Sequence, residues 1–359
     1  MARVRARMAE LGVDALLLSV GADLPWLCGY EAMPLERLTM LVVPADADAT
    51  LVVPLLEAPR VDHEPSLFAL RPWSETEDPV AIVAGLVGRR RRLAISDRAW
   101  SVFLLRLQGA LPGAAWQPAS LVCGPLRARK DPAEVAALRA AAGAADRVAA
   151  ALVGGEIPLV GRTEAEVSAE LSRRLLAEGH SRVNFAIVAS GPNAASPHHE
   201  PGGRVIGPGE PVVCDFGGTM AGYCSDITRT VWTAPEPPAA FRELYSVLQA
   251  AQAAAVAAAR VGTPCEAVDA AARRPIEAAG YGPQFLHRTG HGIGREEHED
   301  PYIVAGNAEP LAAGHAFSVE PGIYVAGRWG ARIEDIVVAT PGGPEVLNGV
   351  DRSLHVLEV

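Results

Sequence analysis

The sequence predicts an α/β chain, α+β in its larger part, with a small domain over residues 1–124 and a larger one over residues 125–359. Three observations predict it. Up to about residue 124, short apolar runs of strand length alternate with helix-like segments; a helix start follows at Asp131-Pro132; and the larger part carries one helix-opening pattern twice, each copy followed by a hairpin candidate.

In the first domain, Ala15 to Leu18, Thr39 to Val43, Leu51 to Val53 and Arg92 to Ile95 are mainly apolar and too short for helices, so they read as strands. The stretch RARKDPAEVAALRAAAGAADRVAAALVGG opens a long helix, with Asp131 as N-cap, Pro132 at the first helical position and Glu134 completing a capping box. The domain boundary is therefore expected near residues 124 to 130. Farther on, VGRTEAEV (160 to 167) and VGTPCEAV (261 to 268) place Thr163 with Glu166, and Thr263 with Glu266, in capping-box spacing. An Ala-rich helix precedes each copy. The hairpin candidates are VVCDFGGTMAGYCSDITRTVW and AFSVEPGIYVAGRWGARIEDIVVAT.

At 359 residues and 49% hydrophobic, the chain is long enough for two cores, and a net charge of -10 leaves no broad basic field for a phosphate backbone. No nucleic-acid partner is expected. The N-terminal apolar run Ala15 to Leu18 is too short for a signal peptide, and no membrane span is expected. Five cysteines, Cys28, Cys123, Cys214, Cys224 and Cys265, form no CxxC pair and read as reduced, core-filling thiols of a cytoplasmic protein. Asp215-Phe216-Gly217 and Ala234-Pro235-Glu236 imitate kinase signatures, but the HRD loop, the strand lysine and the Gly-rich cover that a kinase requires are missing from the sequence. Val188-Ala189-Ser190-Gly191 lacks the first glycine of a nucleophile elbow, and no phosphate-binding GxxxxGK[ST] occurs.

The chemistry lies in the hairpins. If the first folds symmetrically about Met220 and Ala221, Asp215 and Asp226 face each other; symmetry of the second about Gly327 pairs Glu320 with Glu334. Like charges opposite each other on a sheet are destabilising, and buried carboxylates need a cation. That cation is a metal, or Arg332 and Arg229, unless the acids face solvent. Between the hairpins, HRTGHGIGREEHEDPY (287 to 302) surrounds His291 with Gly290, Gly292 and Gly294. Imidazole with carboxylate oxygens is a normal donor set for a pair of transition-metal ions.

Asp215, Asp226, His291, Glu320 and Glu334 resemble the five metal ligands of the M24 metallopeptidases, and ASGPNAASPHH, CDFGG, HRTGHGIG, SVEPGIY and RIEDIVV resemble Xaa-Pro dipeptidases (prolidases) and Xaa-Pro aminopeptidases. The resemblance implies a pita-bread domain with a pseudo-twofold repeat behind a creatinase-like N-terminal domain. It further implies two divalent ions, Mn²⁺ first for so carboxylate-rich a set, with Co²⁺ or Zn²⁺ as alternatives. Asp226 and Glu334 bridge them in that scheme, Asp215 completes one, and His291 with Glu320 the other. Such a pair holds a water, lowers its pKa and polarises the peptide carbonyl, while Glu320 takes the proton. His198 and His298 match the substrate-side histidines, Arg332 matches an arginine beside ligands or substrate, and His199 and His287 are read as structural or ligand-supporting.

The implied partners are short proline-containing peptides, with a homodimer as the assembly. Arg295 and Glu297 depart from the family pattern, in which apolar residues are commoner beside His298, and bear on specificity. Dipeptidase and aminopeptidase are not separated by the sequence. Two further readings stay open: another small-amide hydrolase on this fold, creatinase-like or acting on N-acyl or cyclic amides, and a non-catalytic peptidase-fold binding protein.

Overall fold

The apolar runs of the first domain become strands covered on both faces. The protein, studied as a computed structural model describing residues 1–358, forms two units, Met1–Arg127 and the chain from Ala128 onward. The first contains α1 (Ala2–Leu11), β1 (Ala15–Leu18), α2 (Asp23–Cys28), β2 (Met40–Pro44), β3 (Thr50–Pro54), β4 (Ala69–Trp73), α3 (Pro79–Val87), β5 (Arg92–Ile95), α4 (Ser101–Ala110) and β6 (Ala115–Pro118). Helix α5 (Ser120–Ala128) occupies the stretch in which the sequence places the boundary. The six strands run in the order β4-β3-β2-β1-β5-β6. Central β1 explains the unbroken apolar run: Leu16 and Leu18 pack with Val4 and Met8 on one face, and Ala15 and Leu17 with Val83 and Phe103 on the other.

The second unit begins with α6 (Pro132–Val153), α7 (Glu164–Ala177), β7 (Arg182–Ser190), β8 (Pro211–Met220), β9 (Tyr223–Cys224) and β10 (Ile227–Thr233). It continues with α8 (Ala239–Ala258), α9 (Cys265–Ala278), β11 (Gly290–Gly292), β12 (Glu299–Ile303), β13 (Ala316–Val319), β14 (Gly322–Val325), β15 (Trp329–Arg332), β16 (Asp335–Thr340), β17 (Gly343–Val346) and β18 (His355–Leu357). One sheet runs β18-β10-β8-β7 with β9 on β8, a second β12-β11-β13-β16-β17, and β14 pairs β15 separately.

The internal repeat is visible in how α7 and α9 begin. Each is 14 residues long, and each is opened by amides that bond to a later loop: Glu164 and Ala165 to the carbonyls of Arg204 and Gly202, and Cys265 and Glu266 to those of Glu309 and Asn307. The capping boxes form at Asp131 and Thr163 but not at Thr263. There the N-cap is Pro264, and the loop carbonyls satisfy the amides that a Thr263 cap would have served. All five cysteines are buried and free.

The two hairpins treat the predicted registers differently. In the second, Gly322 pairs with Arg332 and Val319 with Asp335, the register that sets Glu320 across from Glu334 between two ladders. In the first, Asp215 pairs with Thr228, not with Asp226. The turn centres on Ala221 and Gly222, with φ 48° and 80°, because a two-residue hairpin turn with positive φ at both positions is best served by glycine at the second. The displacement is two residues, so Asp215 and Asp226 keep the same sheet face as diagonal neighbours.

Arg229 on β10 joins the halves. Its side chain is among the most buried in the protein, and all five N–H donors are used: Nε to the carbonyl of Asp351 (3.1 Å), Nη1 to those of Thr228 (2.9 Å) and Glu334 (2.7 Å), and Nη2 to Asp335 Oδ1 (2.8 Å) and the carbonyl of Val350 (2.8 Å). Replacing it leaves Asp335 and several carbonyls short of a donor in the interior. Arg229→Met is expected to lower the unfolding free energy by about 3–5 kcal/mol in urea titration, whereas a loss below about 1 kcal/mol would show that the halves are held by packing alone.

Candidate metal centre

Asp215 lies on β8, His291 on β11, Glu320 just after β13, Asp226 between β9 and β10, and Glu334 between β15 and β16. All five line one cavity of about 300 Å³, with His198, His298, His287 and Arg332 in the same wall. Asp226, His291 and Glu334 are buried, and one ligand atom of each lies within 4.8 Å of those of the other two. His291 Nε2 is 3.3 Å from Glu320 Oε1 and 3.8 Å from Asp226 Oδ2.

The local structure fixes these atoms. His291 Nδ1 meets the Gly292 carbonyl at 3.2 Å, which orients the ring with Nε2 toward the carboxylates. The flanking glycines are steric requirements: a Cβ on Gly290 would sit 1.8 Å from the Ser318 carbonyl oxygen, and one on Gly292 2.2 Å from that of Asp300. Thr228 Oγ1 donates to Glu334 Oε2 (2.7 Å), and Ser318 Oγ donates to Glu320 Oε1 (3.2 Å). Arg332 is committed to the scaffold, with Nη2 donating to Asp215 Oδ2 (2.5 Å), Nε to Thr228 Oγ1 (3.1 Å) and Nη1 to Tyr324 Oη (2.8 Å).

The donor set fits divalent metal. Asp215, Asp226, Glu320 and Glu334 converge here beside the guanidinium of Arg332, and Asp215 Oδ1 and Asp226 Oδ1 are buried without a hydrogen-bond partner. Burial, then repulsion from Glu334 and Asp215, pushes Asp226 well above the usual carboxylate range; burial, then Glu320 and Asp215, does the same to Glu334. Asp215 is also raised by burial, against the pull of Arg332. Burial opposes ionisation of Glu320 too, but the hydrogen bond and charge of His291 hold it down to about 2. Two unpartnered oxygens and a surplus of negative charge are what cations of charge two would relieve.

His198 and His298 stand exposed at the rim, and the His298 ring centroid is 3.8 Å from that of His291. Burial against the wall and the neighbouring His291 push His298 down to about 4, so it is neutral at pH 7. His199 is elsewhere: its Nε2 meets buried Glu164 at 2.8 Å, beneath the turn that carries His198. His287 bridges the Arg288 carbonyl (2.7 Å) and Tyr324 Oη (2.8 Å). Sequence reasoning passed over Thr228 and Tyr324. Thr228 was readable, since it follows Asp226 by two and so shares its strand face; Tyr324 gave no signal beyond its place in SVEPGIY.

Fold and site together define the class, a metallopeptidase. Residues 136–341 match the metallopeptidase family M24, and residues 1–129 the creatinase/prolidase N-terminal domain. The chain is 43% identical over 364 residues to the probable dipeptidase PepE of Mycobacterium tuberculosis, covering 100% of this chain and 96% of the relative. It is 35% identical over 357 residues to the Xaa-Pro dipeptidase of Lactobacillus helveticus, covering 96% and 95%. Among solved structures it is similar to dipeptidase PepE of Mycobacterium ulcerans (TM-score 0.93, 44% identity, 100% and 97% covered) and to a prolidase of Thermococcus sibiricus (TM-score 0.92, 35% identity, 99% and 97% covered). The chain belongs to metallopeptidase family M24 and is a peptidase of its dipeptidase and prolidase type. Peptidases of this family use divalent metal ions. Among the described residues no helix is long and apolar enough to cross a membrane.

The raised acids give the metal-free protein a signed pH dependence. A carboxyl whose folded pKa is above its unfolded value contributes stability that is full below the unfolded pKa and lost as pH rises through the folded one. Asp226 and Glu334 therefore destabilise the metal-free fold toward neutral pH. Chelated protein should melt at lower temperature at about pH 8 than at about pH 6, and Mn²⁺ should raise the melting temperature more at the higher pH. Equal melting curves with and without metal across that range would remove the charge argument.

Proposed function

We propose that the protein is a two-metal exopeptidase that hydrolyses the Xaa-Pro bond of dipeptides and other short peptides. The observation that carries this reading is the convergence of four carboxylates and His291 on the floor of a cavity with two histidines at its rim. The proline preference is supported by the relatives named Xaa-Pro dipeptidase and prolidase.

Asp215, Asp226, His291, Glu320 and Glu334 would hold the ions, Mn²⁺ being the best match to so many oxygen donors. When bound, two such ions supply an acidified water and Lewis-acid polarisation of the scissile carbonyl. Glu320, held ionised, accepts the proton of the attacking water and passes it to the leaving amine. His198 and His298 hydrogen-bond the scissile amide and the oxyanion that develops from it; His298, neutral at pH 7, does so without placing a further charge in the cleft. Arg332 works through others, orienting Asp215 and, through the Pro197 carbonyl at 3.4 Å, the residue before His198.

Purified protein supplied with Mn²⁺ should release proline from Xaa-Pro dipeptides and lose that activity on chelation. His298→Ala should lower kcat by about 10²–10³-fold while metal content stays at the wild-type level. Undiminished cleavage after complete metal removal would overturn the reading. Turnover of N-acyl or cyclic amides, with none on Xaa-Pro peptides, would replace it by the small-amide alternative.

A further inference from the structure

The two histidines at the rim of the cleft share one feature. His198 and His298 are both exposed, both line the cavity, and among the described residues neither side chain makes a hydrogen bond. His298 has the ring of His291 against it, with centroids 3.8 Å apart. A group that must meet a reacting amide within a few tenths of an ångström is aimed by its surroundings, and here those are the backbone that carries each histidine. In both places the next residue along the chain is tied to a buried, charged partner.

We propose that His199 and Glu299 are positioning residues, each aiming the histidine that precedes it, His199 through Glu164 and Glu299 through Lys130; this rests on the peptidase reading of the site. On the first side, His199 Nε2 meets Glu164 Oε2 at 2.8 Å. Glu164 is fully buried at the start of α7, and its Oε1 accepts from Ser190 N and Oγ, both at 2.8 Å, and from Asn193 Nδ2 at 3.0 Å. Burial opposes ionisation of Glu164, but the hydrogen bonds from Ser190, His199 and Asn193 outweigh it and hold the pKa below the usual carboxylate range. An ionised carboxylate only accepts, so His199 Nε2 is the donor. Arg332 Nη1 holds the Pro197 carbonyl at 3.4 Å, so the chain is gripped immediately before and immediately after His198.

On the second side the polarity is reversed. Glu299, at the start of β12, is the acid, and Lys130, one residue before the Asp131 cap of α6, is the base. Lys130 Nζ bonds Glu299 Oε1, and the two side chains are only 1% and 8% exposed. Gly294 lets the pair form, since a Cβ there would sit 2.5 Å from Glu299 Oε1 and 3.0 Å from Lys130 Cε. The loop leading to His298 is tied at its other end as well: the Gly294 carbonyl accepts from Cys224 N at 2.8 Å, and Arg295 lies over the Tyr223 ring, whose Oη donates to Glu134 on α6 at 2.9 Å. A buried ion pair adds little net stability but selects one arrangement. Two such buried ties, of opposite polarity and on different helices, each stand one residue from a rim histidine, and that shared placement assigns them to the histidines.

The test is a pair of double-mutant cycles read as kcat and KM on a Xaa-Pro dipeptide, each protein checked for metal content. His199→Leu, and Glu299→Leu combined with Lys130→Met so that no buried charge is left alone, should each lower kcat by about 10–100-fold with little change in KM, the loss expected from misplacing a reacting group. His199→Gln and Glu299→Gln, which keep a hydrogen bond to Glu164 and to Lys130, should recover most of it. On a His198→Ala background His199→Leu should cost less than about 2-fold more, and the Glu299 and Lys130 replacements likewise on His298→Ala, because each anchor acts only through its histidine. Losses that multiply in full would show that the anchors serve the fold at large and would overturn the assignment. Ring resonances of isotope-labelled histidine in the Zn²⁺-supplemented protein, assigned by their loss in the alanine variants, give a readout without turnover. His199→Leu should move the His198 signal and leave that of His298, and the Glu299 and Lys130 replacements should do the reverse; signals that stay in place, or that move together, overturn the assignment. If the wild-type protein cleaves no Xaa-Pro peptide, the exopeptidase reading falls, and the resonances still decide the anchors.

Discussion

Four carboxylates, Asp215, Asp226, Glu320 and Glu334, converge on a largely buried floor where Arg332 is the guanidinium bonded to one of them, and the structure around them is organised by that surplus of negative charge. Ionised carboxylates at such spacing in a low-dielectric interior repel strongly, and each desolvated oxygen without a partner adds to the cost. The scaffold neutralises only part of it. Arg332 serves Asp215, and hydroxyls of Thr228 and Ser318 serve Glu334 and Glu320, but Asp215 Oδ1 and Asp226 Oδ1 are left with nothing. A fold that gathers these groups and withholds enough partners leaves a deficit that divalent cations would remove.

The centre also explains why the two halves of the second unit belong together. Asp215 and Asp226 come from the first hairpin, and Glu320 and Glu334 from the second. The halves meet where Thr228 bridges Glu334 and where Arg229 fills its donors with Asp335 and neighbouring carbonyls. Asp335 is held from several directions, by Arg229, by Gln252 Nε2 at 2.7 Å and by Arg352. A buried ion pair of this kind is a weak source of net stability but a strong selector of one arrangement. Here the arrangement selected brings the carboxylates to one point.

Much of this was legible in the sequence because it depends on spacing. The strand period of two places Asp226 and Thr228 on one face, and the symmetry of the second hairpin about Gly327 sets Glu320 opposite Glu334. The first hairpin was misjudged by two residues because its turn takes Gly222 at the second central position, a signal present in Ala221-Gly222 and outweighed by apparent symmetry. An even slip preserved the face, and so the site survived the error. Thr263 failed as a cap because amides at the start of α9 bond to a loop about 40 residues away, a tertiary contact that no local pattern carries. The same limit applies to Arg332: the sequence shows a cation near the cleft, and only the packed structure shows that it is spent on Asp215, Thr228 and Tyr324.

The measurement that bears most directly on the account is anomalous diffraction from crystals of the Mn²⁺-loaded protein, collected at the manganese edge. The account predicts two peaks in this cavity, within reach of Asp215, Asp226, His291, Glu320 and Glu334, the residues that would hold the ions. No peak in this cavity, or manganese bound only elsewhere on the protein, would mean that the carboxylate surplus is relieved by protons and not by metal, and the central claim would fail.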